Sequence, residues 1–265
     1  VKCVFLFFPV WVLASLGQEL PPDCARYFDA VEKGSLKPIT LYNAACCYSL
    51  SKNADRAFAM LDLAIAQGFS KHQWLEQDKE LAFVQQDPRW PKVILAAKAA
   101  EQAFLETVNR ELYEIYRADQ DDRKPPIDWE KVTPRDLARQ ERVQQIMAAG
   151  GLKVAGDFYH AALVFQHGQK PEDFKLSHGL CLKTIALEPD HDGAKWLTCA
   201  AEDRWLQNTG KPQVWGTQYT REKGGSWTNE PFDRTAKTDE ERVAMGVKTL
   251  AEIDADMKKY NRKKQ

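Results

Sequence analysis

The sequence predicts an all-α protein: antiparallel helical hairpins stacked as an array, then a second helical domain with a small β-hairpin and long loop near the C-terminus. Three observations predict it. Strong helix formers fill the stretch from Asp23 to Ala118. Proline and glycine stand in that stretch mainly at Gly34, Pro38, Gly68, Pro88 and Pro91, spaced like helix ends and not like strand turns. Helix-start signals recur in the second half, at Thr133-Pro134 and in capping boxes at Thr238 to Glu241 and Thr249 to Glu252. Of the 265 residues 44% are hydrophobic and 28% charged, a balance that excludes wholesale disorder.

In chain order, the first segment is a run without charge from Cys3 to Gly17, after a single lysine and ending in small residues. It reads as a secretory signal peptide cleaved after Gly17, too short for a spanning helix of roughly 20 residues. An extracytoplasmic location follows, periplasmic or secreted, without stable membrane insertion once the signal is removed. Residues 18–108 form the first helical region. Its elements are expected at Pro22 to Lys33, Thr40 to Leu50, Asp55 to Gln67 and Lys71 to Gln85. A long closing helix is expected from Pro91 to about Tyr116, striped by Leu105, Val108, Leu112 and Ile115.

Residues 109–265 form the second helical domain. The segment Asp119 to Pro126 breaks the helical pattern and is the composition-based boundary candidate. A helix restarts at Thr133-Pro134 and aligns Arg135, Arg139 and Arg142 on one face, either as a solvated basic face or as a clamp for a carboxylate or phosphate. Helices at Asp157 to His167, Pro171 to Leu187 and Gly193 to Asn208 follow. Beyond Gly210 more than twenty residues, to Lys237, lack helical periodicity. A loop of that length in a compact domain usually has a job. Within it Gln218 to Thr220 and Ser226 to Thr228 can pair around Gly224-Gly225.

Two resemblances add expectations. Ala44, Ala45 and Tyr48, with Ala57, Leu61 and Ala64, resemble the two helices of a tetratricopeptide repeat, a unit of ~34 residues. That resemblance implies a concave wall carrying Tyr42, Cys46 and Ser49 as a groove for a peptide or partner helix. From Asn109 to Glu252 a second series is similar to a bacterial domain family of unknown function whose members often carry such repeats in front. The series is Asp119-Gln120 with Asp122-Arg123, Tyr159-His160-Ala161-Ala162, Gln166-His167-Gly168, Asp203-Arg204, Gly210-Lys211-Pro212-Gln213, Gly216-Thr217-Gln218 and Glu240-Glu241-Arg242. Trp215 departs from it, standing where tyrosine is expected. The resemblance brings no reaction and no cofactor.

Chemistry-bearing residues concentrate in the second half. His160 and His167 are seven residues apart and share a helix face. No CxxC or HExxH accompanies them, so no metal and no cofactor is expected. If the helices flanking Pro189 to His191 are antiparallel, His178 stands level with Glu202 and Asp203, and Cys181 with Cys199. The same reasoning about Leu36 sets Cys24 level with Cys47 and leaves Cys46 over. Each pair is a disulfide candidate, with buried free thiols as the other reading.

Two functions remain open. The first is an exported bacterial helical-repeat protein that binds a protein or peptide partner. The second is an enzyme or small-ligand domain. Its acid–base group is His167 or His178 and its orienter Asp203. Its ligand contacts are drawn from Asp119, Asp122, Arg123, His160, Gln166, Arg204, Gln213, Thr217 and Gln218. Nucleic acid is not an expected partner, because the net charge is -1. No Gly-rich phosphate loop or dinucleotide fingerprint points to nucleotides.

Overall fold

The computed structural model describes residues 20, 21, 23–221 and 225–262. The signal peptide expected at 1–17 lies outside the described residues. Among those described there are twelve α-helices and one two-stranded antiparallel sheet, so the fold is all-α. None of the helices is long and apolar enough to cross a membrane. The chain divides into two compact units between Glu106 and Thr107, close to the division expected after residue 108. The Asp119 to Pro126 interruption lies within the second unit.

The first unit begins with α1 (Asp23–Glu32), α2 (Pro38–Leu50) and α3 (Ala54–Ala66). Pro38 starts α2, at a position where a missing N–H costs no helical bond. Asn53 caps α3, its side chain accepting from Arg56 N. Ala44, Ala45, Ala57, Leu61 and Ala64 are fully buried in one cluster, the small side chains letting α2 and α3 approach closely. A disulfide joins Cys24 of α1 to Cys47 of α2, with Cα atoms 5.6 Å apart.

The helix expected over Lys71 to Gln85 is interrupted. α4 (His72–Gln77) ends at Asp78, whose extended backbone and side-chain bond to Glu80 N start a 3-10 turn instead. The long helix expected from Pro91 to Tyr116 is also two. α5 (Trp90–Leu105) closes the first unit, and α6 (Arg110–Asp121) opens the second under an Asn109 cap that accepts from Leu112 N.

In the second unit α7 (Trp129–Ala148) starts five residues before the expected Pro134, capped by Asp128. Thr133 is therefore not an N-cap, and Pro134 is an interior residue of that helix. α8 (Ala155–Gln166), α9 (Pro171–Leu187) and α10 (Asp192–Asn208) follow as expected. Their common core includes Leu112, Val143, Ala161, Ala162, Phe165, Leu180, Cys181 and Leu197. β1 (Thr220–Arg221) pairs with β2 (Trp227–Thr228) as the composition indicated, Thr220 opposite Thr228. α11 (Asp239–Ala244) carries the Thr238–Glu241 capping box, and α12 (Leu250–Arg262) has the matching bonds between Thr249 and Glu252.

Candidate functional site

The groove residues read from the repeat resemblance are inside the first unit. Tyr42, Cys46 and Ser49 are 4%, 1% and 0% exposed, so they line no open groove. The physical reason is the segment after α3. Phe69 stacks on Tyr42 with ring centroids 4.6 Å apart, and Asp78 accepts the Tyr42 hydroxyl at 2.5 Å. These contacts cover the face of α2 that carries Tyr42 and Cys46.

The second proposed cystine is absent. Cys181 and Cys199 are buried free thiols, as is Cys46. Their heights match but their directions do not. Cys181 packs in the core of α8 and α9, and its thiol bonds to Thr198, the neighbour of Cys199. One residue along a helix is a rotation of about 100°, and Cys199 turns instead towards Trp215 and Val247.

The enzyme reading paired His178 with Asp203, and those residues also part. His178 Nδ1 lies 3.3 Å from the carbonyl oxygen of Thr198, on its own helical hairpin. Asp203 is fully buried and turns to the long loop. Its Oδ1 accepts the backbone N–H groups of Val214 and Trp215, and its Oδ2 accepts the N–H and hydroxyl of Thr217. Burial pushes the Asp203 carboxyl up from the ordinary carboxylate range, and the four donors pull against it.

The same loop is gripped from its other side by Arg242. This guanidinium is fully buried and donates to the carbonyl oxygens of Trp215 and Val214. Gln213 is likewise a loop pin: Nε2 donates to the carbonyls of Gln218 and Asn229, and Oε1 accepts from Gln218 N. Gly216 has φ +69°, and a Cβ there would stand 2.7 Å from the Phe232 ring, so only glycine fits. Trp215 donates its indole N–H to Glu202 at 2.7 Å, so an aromatic without a hydroxyl still makes a hydrogen bond. Asp203, Gln213 and Thr217 therefore spend their hydrogen bonds on holding this loop.

A different set converges at the C-terminal end of α8. α6 offers Tyr116 and Asp119, with Arg123 two residues past its end, and α8 offers His160, with His167 as its C-cap. Tyr116 stacks on buried His160 with centroids 4.5 Å apart, which makes His160 part of an aromatic packing layer. One layer further, Asp119, fully buried, accepts from His167 Nδ1 at 2.8 Å and from Gln120 at 2.8 Å. The His167 side chain is 22% exposed. With Nδ1–H donated to a carboxylate, the neutral ring keeps its lone pair on Nε2, the tautomer of a general base.

Around this pair the arginines are spoken for, except one. Arg123 makes a bidentate contact with Asp136 and lies 3.6 Å from Asp119. Arg139 bridges Asp122 and Asp136, and Arg135 also reaches Asp122. The Arg139 guanidinium holds the Asp122 carboxyl below its ordinary value. Arg142 pairs with Glu111. The basic face of α7 is therefore a clamp for the protein's own carboxylates, and Asp122 is a structural partner within it.

Arg204 differs. Its Nη1 donates to the carbonyl oxygen of Gln166 at 2.5 Å and its Nε to Gln218 Oε1 at 3.2 Å, both neutral acceptors. Among the described residues it has no carboxylate partner. Burial and the nearby Arg123 cation push its guanidinium below the ordinary arginine value. Four guanidinium groups (Arg123, Arg135, Arg139, Arg204) thus meet three carboxylates (Asp119, Asp122, Asp136), and Arg204 is the unmatched one. Beside it Gln166 is 6% exposed, and its side-chain oxygen has no hydrogen-bond partner.

Of the sequence candidates, the structure brings together Asp119, Arg123, Gln166, His167, Arg204 and Gln218. It sends His178, Asp203, Gln213 and Thr217 elsewhere. Asp136 was missed. The same antiparallel reasoning applied to α6 and α7 sets its acids and arginines level and would have found it. No protein-family model matches the chain, and neither a curated protein nor a solved structure matches it.

Proposed function

We propose that the second unit binds a small organic anion, holding its negative group on Arg204 and presenting a proton to His167 Nε2. The carrying observation is the Arg204 guanidinium, half-buried among neutral acceptors and beside a second arginine, with no carboxylate of its own. A buried cation without a counter-charge is costly, and an anionic ligand removes that cost. Asp119 orients His167 as a proton acceptor in the arrangement general bases use. The unpartnered Gln166 oxygen favours an anion that also carries a donor, such as a 2-hydroxycarboxylate.

The partner-binding module loses its groove residues to the core, so the ligand reading takes precedence. Work outside the cytoplasm is part of the proposal, and the Cys24–Cys47 disulfide supports it, since such bonds persist in oxidising compartments.

The test is a thermal-shift series with acetate, lactate and inorganic phosphate on the wild type and on Arg204→Met. A ligand at 100 times its dissociation constant stabilises the native state by about 2.7 kcal/mol. Lactate is expected to raise the wild-type midpoint more than acetate does, and neither is expected to move Arg204→Met. Equal shifts in both proteins would defeat the proposal.

A further inference from the structure

A second cluster of ligating groups lies in the first unit, independent of the Arg204 site. The donor atoms of Cys46, Asp78 and Glu80 all lie within 4.8 Å of one another. We propose that these three side chains bind a thiophilic divalent cation of the zinc class, with water completing the coordination.

The geometry is close to what such an ion needs. With Zn–S about 2.3 Å and Zn–O about 2.0 Å, tetrahedral coordination separates sulfur from oxygen by about 3.5 Å. Cys46 Sγ stands 3.6 Å from Asp78 Oδ2. Asp78 is already fixed in place: Oδ2 accepts the Tyr42 hydroxyl, Oδ1 accepts Glu80 N, and its carbonyl accepts Gln85 Nε2. Ligating carboxylates are typically held by such outer hydrogen bonds. Glu80 is exposed and has the freedom to close the remaining gap. A recess of about 140 Å3 lined in part by Glu80, Asn43 and Tyr27 opens beside Glu80.

Two further observations point to a ligand. Ser49 lies on the same face of α2, one turn beyond Cys46. It is fully buried, and its hydroxyl has no hydrogen-bond partner. In addition, neither Asp78 nor Glu80 has a basic partner among the described residues. A dication compensates the two carboxylates and takes the Cys46 thiol as thiolate. The step balances as Cys46–SH plus M2+ giving Cys46–S–M+ plus one H+. No short motif announces the site, because its cysteine and first carboxylate are 32 residues apart.

The test is cobalt(II) titration of the metal-free full chain, followed by the near-ultraviolet sulfur-to-cobalt charge-transfer band and by proton release. The expected result is one cobalt and one proton per chain, with zinc displacing the cobalt. Cys46→Ser removes the band while Cys181 and Cys199 remain, and Glu80→Gln weakens binding about tenfold or more. No band at excess cobalt overturns the proposal, as does a band that survives Cys46→Ser. If Cys46→Ser fails to fold, Glu80→Gln decides: its side chain is exposed, and unchanged cobalt affinity in it also overturns the proposal.

Discussion

Asp203→Ala is expected to destabilise the protein by about 3–5 kcal/mol, the cost typical of removing one partner from a buried charged network. The carboxylate holds three backbone N–H groups and one hydroxyl of the 214–217 loop, and it is fully buried. Alanine leaves those donors facing a cavity. It also removes one of the two carboxylates, with Asp239, that favour buried Arg242, whose hydrogen bonds go to the carbonyls of the same loop. Asp203→Asn keeps one oxygen and turns the other into a donor aimed at donors, so it is expected to lose about half as much. Asp190→Ala, at a side chain 93% exposed, is the control and should cost less than about 0.5 kcal/mol. Urea unfolding curves measure all three. A wild-type midpoint for Asp203→Ala would show that the loop is not held this way.

Reduction of the Cys24–Cys47 bridge is expected to cost about 3 kcal/mol, from the chain entropy of closing a loop of that length. The cystine spans 23 positions and ties α1 to the α2–α3 pair. α1 fully buries only Cys24 among its ten residues, while Tyr27, Phe28 and Val31 pack half-buried beside it, so the cystine adds to a partial apolar contact. The loss is expected in the first unit, read as earlier loss of α1 amide protection on adding reductant. Non-reducing peptide mapping should link Cys24 to Cys47, with alkylation of the unfolded chain labelling, among the described residues, Cys46, Cys181 and Cys199. A Cys181–Cys199 link would contradict the geometry of α9 and α10.

How much of this was legible depends on the range of the interaction. α9 was read to the residue, because Pro171 at its start is local chemistry. The capping boxes at Thr238 and Thr249 are equally local. The start of α7 was not, because Pro134 resembles a first helical residue. In fact it withdraws one bond from inside a helix that Asp128 has already begun. The split of α5 from α6 was hidden by an apolar stripe, Leu105, Val108, Leu112 and Ile115, that keeps helical spacing across the break.

The site shows the same division. The spacing of His160 and His167 is a periodicity, and the two rings meet Tyr116 and Asp119 of α6. That Asp119 is the acid on His167, 48 positions away, is a packing fact with no local signal. Level height in a hairpin named the right cysteines once, at Cys24 and Cys47. It failed for Cys181 with Cys199 and for His178 with Asp203, because height does not fix rotation about the helix axis. The repeat-like spacing of α2 and α3 gives no sign that Phe69, just beyond it, covers Tyr42.

If His167 and Arg204 flank one anion, side-chain NMR of the full chain during titration with lactate should show the His167 ring resonances and the Arg204 Nε–H shifting together, with one common dissociation constant. The ring of His178, bonded within its own hairpin, should stay still. Shifts at Arg204 without His167, or equal shifts at His178, would contradict that placement of the anion.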